Sequence, residues 1–113
     1  MNYSEMTDQE ISKAVGDCIG IKWANLDDNY SRLIAWVDGE LSVFDPCNSW
    51  ADAGPIIESN AIGLGVSRPG DSRHWIAYCW KDNYCGEVRV RGSNPLRAAM
   101  IVFLMMQENK YEQ

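Results

Sequence analysis

The sequence predicts an α+β domain with a mainly antiparallel sheet, and three local signals carry that prediction. Thr7-Asp8-Gln9-Glu10 is a capping box, in which hydroxyl and carboxylate each satisfy a free backbone N–H at a helix start. Asp38-Gly39 lies between two β-rich runs and suits a two-residue type I′ hairpin, where both positions need positive φ. Asn94-Pro95 joins a preferred N-cap to the residue favoured at the first helical position, just ahead of a strongly apolar stretch.

The elements follow in order. Ile11, Ala14, Val15, Cys18 and Ile19 repeat at helical spacing, and Gly20 is a plausible stop, so helix 1 covers about residues 7–19. Residues 22–24 are a candidate short strand, and residues 25–29 read as a polar turn. The hairpin joins residues 33–37 to 40–44. A second helix is expected over about 49–59, with Ala53, Ile56 and Ile57 inward; Pro55 removes an interior hydrogen bond, so a start near Gly54-Pro55 is the alternative. Ile62, Leu64 and Val66 alternate as a strand, and Pro69-Gly70-Asp71-Ser72 is a turn. In the strand at 73–80, His74, Ile76, Tyr78 and Trp80 share one face while Trp75, Ala77 and Cys79 share the other. Both faces are apolar, as expected of a central strand covered on both sides. Residues 81–84 turn the chain, and 86–91 return it with Val88 and Val90 inward. Helix 3, about 95–109, is apolar nearly all round from Ala98 to Met106 and is expected to be the most buried helix. The expected order is α-β-β-α-β-β-β-α, with about five strands in one sheet, helices 1 and 3 packed on it, and residues 1–113 forming one domain.

Composition narrows the function. The chain has 113 residues, 46% of them hydrophobic and 23% charged, which suits a globular domain with one core and no stabilising metal or disulfide. Sixteen acidic residues against ten basic ones, with no cationic cluster, argue against a nucleic-acid partner. The longest apolar run is too short to span a membrane, and the N-terminus does not read as a secretion signal. Cys18, Cys47, Cys79 and Cys85 are then expected as free thiols.

Candidate chemistry is sparse. His74 is the only histidine, so a Cys–His arrangement would need it, with Cys47 as nucleophile and Asp45 or Asp52 as orienting group. No local signature supports that set. Cys47, His74, Cys79 and Cys85 could supply a zinc site but lack short Cys spacing, so no metal and no cofactor is expected. Cys79 and Cys85 flank a turn, but a reduced setting disfavours a bond between them. Asn25, Asp27, Asp28 and Asn29 lack the glycine and distal glutamate of a calcium loop. Gly63-Leu64-Gly65 is no phosphate loop; its glycines suit close packing of an aromatic ring or backbone on the sheet.

Motifs along the chain carry a resemblance. Met1-Asn2-Tyr3-Ser4, Asp8-Gln9-Glu10-Ile11-Ser12-Lys13, Phe44-Asp45-Pro46-Cys47-Asn48, Ala51-Asp52-Ala53, Pro55-Ile56-Ile57-Glu58 and the string from Asn94-Pro95-Leu96-Arg97 to Met106 resemble the NinX-like proteins of lambdoid and P22-type bacteriophages. The last string is the most specific, because amphipathicity alone does not demand it. The resemblance implies a phage α-β-α sandwich with helices flanking an antiparallel sheet, and the host bacterial cytoplasm as location. It implies no catalytic residues.

The expected function is a non-enzymatic phage accessory protein that binds a host or phage protein. The alternative is a small-ligand binder for a nucleotide or defence signal, served by aromatic surfaces and by Arg73, Arg89 or Arg91; an enzyme using His74 comes third. The binding surface is expected at residues 45–52, where Trp50 supplies an apolar anchor and Asp45, Asn48 and Asp52 supply polar groups, with Arg73 and His74 nearby. The competing reading has Trp50 covering a sheet edge. The sequence is compatible with a homo-oligomer.

Overall fold

The computed structural model describes residues 3–24, 33–68, 71–80 and 87–111. A 3-10 turn, Tyr3–Glu5, precedes α1 (Asp8–Ile19), β1 (Lys22–Trp23), β2 (Ile34–Val37), β3 (Glu40–Val43), α2 (Trp50–Ser59), β4 (Gly63–Arg68), β5 (Asp71–Trp80), β6 (Glu87–Gly92) and α3 (Pro95–Tyr111). The polar stretch at 25–29, the Pro69-Gly70 turn, the turn at 81–84, Cys85, and the side chains of Arg73, Trp80 and Val88 lie outside the described residues.

The local signals act as their chemistry requires. Thr7 accepts from the Glu10 N–H at 3.1 Å while the Glu10 carboxylate accepts from the Thr7 N–H at 2.9 Å, which completes the capping box. Gly20 ends α1 in the left-handed region. Asp38 and Gly39 both have positive φ, 52° and 82°, and close the β2–β3 hairpin with Val37 paired to Glu40. The candidate strand at 22–24 forms as β1, with Lys22 opposite Trp36.

The sheet differs from expectation in number. The described residues form two antiparallel three-stranded sheets, ordered β1-β2-β3 and β4-β5-β6. The α2 segment separates the two groups of strands, and within each group consecutive strands pair as hairpins. β5 is central in its sheet, as its two apolar faces predict. It begins at Asp71, which pairs with Arg68, so Asp71 and Ser72 extend the strand instead of forming the expected turn. Gly63 lies opposite Tyr78, whose ring occupies the space that a Cβ would need, so this glycine serves close aromatic packing.

α3 organises the core. It packs on β4, β5 and β6 from one side and meets α1 and α2 elsewhere on its surface. Every residue from Ala98 to Leu104 is buried, including Met100, Phe103 and Leu104. That environment explains a helix apolar nearly all round. α1 thus packs on α3, not on a common sheet, and it also carries the first sheet. The Trp23 ring lies against Gly16, stacks edge-on with Phe44 at 5.8 Å between centroids, and donates to Asp17 at 2.9 Å. α2 spans Trp50–Ser59 with Pro55 inside it, so the helix does not wait for Pro55 to begin. Pro55 faces solvent, while Ala53 and Ile56 are buried.

Candidate functional site

Three segments distant in sequence meet in one polar seam beside the start of α3. In the turn after β3, the Asp45 N–H donates to the Asp52 carboxylate at 2.8 Å, which ties the turn to α2. Ser49 occupies the N-cap position of α2 without a side-chain cap bond. The Asn48 amide donates to the Asp45 carboxylate at 3.2 Å and to Asp8 of α1 at 3.3 Å. Asn94 caps α3, with its side-chain oxygen accepting from the Leu96 and Arg97 N–H groups at 3.0 and 3.2 Å. Its amide donates to the Cys47 carbonyl at 2.8 Å. Arg97 completes the seam: it pairs with Asp8 at 2.6 Å and donates to the carbonyls of Met6 at 2.6 Å and Tyr3 at 3.3 Å.

Cys47 sits beneath this seam. Its thiol is buried, donates to the Asp8 carbonyl at 3.7 Å and accepts from Ser12 at 3.7 Å. Burial is the main cause that pushes the thiol up to about 11, so it stays protonated near neutrality and is a poor nucleophile. Nearby, Tyr3 donates to Glu108 of α3, and burial followed by that hydrogen bond raises its hydroxyl.

The expected site residues divide into two kinds. Asp45, Asn48 and Asp52 spend hydrogen-bonding capacity on holding the fold, a structural role the sequence did not reveal. Trp50, at the first position of α2, is 59% exposed. Arg73 and His74 lie near the start of β5, and His74 is exposed; the seam is completed instead by Asp8, Asn94 and Arg97. In the sequence Asn94 reads as a cap, and with Arg97 it opens the most specific family motif, but neither shows a role outside α3. Their pairing with residues of the first fifty has no local signal. Among the described residues, no three His, Cys, Asp or Glu gather as a metal-binding group.

A second feature adjoins the seam at Arg97. A cleft of about 420 Å³ runs between β6 and the start of α3, lined by Arg89, Arg91, Ser93, Arg97 and Ile101, with Tyr3 at one wall. Arg89 and Arg91 are legible in the sequence as alternating cations on one strand; the cleft they line is not.

Fold and seam define a small α+β protein in which one buried helix gathers the β4-β5-β6 sheet, the two other helices and the amino-terminal segment. A family model described as Bacteriophage P22, NinX matches residues 2–107, and the chain belongs to that family. The seam residues Asp8, Asp45, Asn48, Asp52, Asn94 and Arg97 all fall within the matched span. No curated protein matches the chain. Among the described residues, no helix is long and apolar enough to cross a membrane.

Proposed function

We propose that this phage protein is a non-enzymatic accessory factor that acts in the host bacterial cytoplasm by binding a host or phage protein through Trp50. The observation that carries this reading is a large exposed aromatic on a platform already fixed by hydrogen bonds. Trp50 is 59% exposed, while Asp52 and Asp45 lock the turn on which α2 begins. Rigid tryptophans of this kind are common anchors of protein interfaces, because little ordering cost remains to be met on binding. The buried, protonated Cys47 speaks against the Cys–His nucleophile that an enzyme using His74 would require. The net charge of −6 favours a protein partner over a nucleic acid.

The test is affinity capture from infected cells with wild type and Trp50→Ala. The variant is expected to lose the captured protein, with a binding cost of about 2 kcal/mol or more, and to melt near wild type. Unchanged capture would place the interface elsewhere; unfolding would make Trp50 a structural residue.

The cleft favours a second reading as a small-ligand binder. Its volume falls within the range of about 300–1,000 Å³ usual for such sites. Arg97 is already committed to Asp8 and two carbonyls, so an anionic ligand such as a nucleotide would rely on Arg91 and Ser93. A thermal-shift screen against nucleotides separates the two readings.

A further inference from the structure

Among the described residues, strands β1, β3, β4 and β6 are the edges of the two sheets. Edge strands present unpaired backbone groups, and proteins blunt them with shortness, cations, proline or bulges. β1 is two residues long and carries Lys22. β4 has a register shift between Val66 and Arg68. β6 carries Arg89 and Arg91. β3, Glu-Leu-Ser-Val, has no cation or proline, pairs with β2 without a shift, and is exposed at all four residues.

The hairpin register identifies its free groups. The Phe44 N–H donates to the Leu33 carbonyl at 2.9 Å, so hydrogen-bonded pairs recur at Ala35–Ser42 and Val37–Glu40. The N–H and C=O groups of Leu41 and Val43 therefore point away from β2, along the open edge. Their side chains share a face with Ile34 and Trp36, because Ile34 lies opposite Val43 and Trp36 opposite Leu41. On that face Trp36 is 49%, Leu41 59% and Val43 44% exposed. Glu40 projects from the opposite face.

Charge selects the occupant. Residues 33–44 contain Asp38 and Glu40 and no cation. A second copy of the chain, paired antiparallel so that Leu41 meets Val43 of the other copy, would set Gly39 of each opposite Asp45 of the other and crowd Asp38, Glu40 and Asp45 of both copies at the two ends of the new pair with no cation among residues 33–45 to offset them. Such like-charge crowding is unfavourable. A strand alternating apolar and cationic residues fits both faces at once: apolar side chains extend the Trp36–Leu41 face, and Lys or Arg side chains lie on the Glu40 face.

We propose that β3 is a docking edge for an extended, cationic segment of another protein, which adds to the first sheet as a fourth strand beside Leu41 and Val43. This edge is separate from Trp50. The test titrates the full chain with capped octapeptides that alternate Val, Ile or Leu with Lys or Arg, and follows backbone amide exchange by NMR. Members of this set are expected to slow exchange at the Leu41 and Val43 amides, and counterparts with Glu in place of the cations to bind at least about tenfold more weakly. Leu41→Lys and Val43→Pro are each expected to weaken binding about tenfold with the fold retained, since an outward N–H on an edge strand is where proline is tolerated. Trp50→Ala should bind the peptides as wild type does, which keeps this result distinct from the fate of the Trp50 surface. The proposal is overturned if no member of the set protects these two amides or if the Glu counterparts bind equally well. It is also overturned if protection arises without peptide and deepens with protein concentration, because the occupant is then a second copy.

Discussion

The β2–β3 hairpin and the polar seam are built by opposite means. The hairpin depends on two adjacent residues, Asp38 and Gly39, whose positive φ sets the register of both strands. It leaves Trp36, Val37, Leu41 and Val43 exposed. The seam's bonds between segments join residues 39 to 94 positions apart, and the side of the molecule it closes includes the buried Cys47 and Ala98. Local chemistry can shape a surface without burying it. Burial here requires the last helix to bring distant segments together.

The sharpest way to break this contrast is to strike α3. Phe103→Ala is expected to cost about 3–5 kcal/mol, enough to unfold much of a domain this small, as measured by urea denaturation. An unchanged midpoint would show that α3 is not the organising element. Arg97→Ala leaves the Tyr3 and Met6 carbonyls and the Asp8 carboxylate without their shared donor, and should cost about 1–3 kcal/mol. Amide exchange at the start of α1 should rise with it; a rise confined to the hairpin would deny the seam its long-range role.

Gly39→Ala addresses the other region. A side chain at φ 82° is strained, so about 1 kcal/mol is expected. Enhanced amide exchange confined to β2 and β3, with α3 unaffected, would support the separation of the two regions. The smallest effect concerns pH. Thr7, first through its backbone N–H and then through its side chain, holds the Glu10 carboxyl below its ordinary value of 4.5. A depressed folded pKa gives stability that is present above 4.5 and is lost as pH falls through the folded value. Glu10→Gln should therefore flatten the pH dependence of stability below about 4.5 and leave it unchanged at neutrality. An unchanged acid slope would mean that the capping box does not titrate as its geometry implies.

Signals read within three or four residues were legible in the sequence: the Thr7–Glu10 box, the Asp38-Gly39 turn, the Asn94 cap and the all-round apolar α3. The division into two sheets was not, because alternation identifies a strand without naming its neighbour. Pro55 inside α2 is not decided by the sequence because its cost depends on whether the rest of the helix buries enough, and Ala53 and Ile56 do so here. At the candidate site, Trp50 was legible as a candidate and its exposure was not. Asp45, Asn48 and Asp52 look available in the sequence because their bonds to one another exist only once the turn is folded, and the further partner of Asn48, Asp8, lies in another part of the chain.

The position of α3 has a consequence for how the protein is made. A ribosome delivers the capping box, both hairpins and α2 before it delivers Arg97 and Phe103. Until then, the face of α1 that rests on α3 has nothing to close against, and Asp8 waits for its guanidinium partner. Such late closure leaves apolar surface open during translation, the period in which aggregation and chaperone capture compete with folding. A nascent chain arrested before α3 emerges should therefore be protease-sensitive throughout α1, and release of the remaining residues should protect α1 and the seam in a single step.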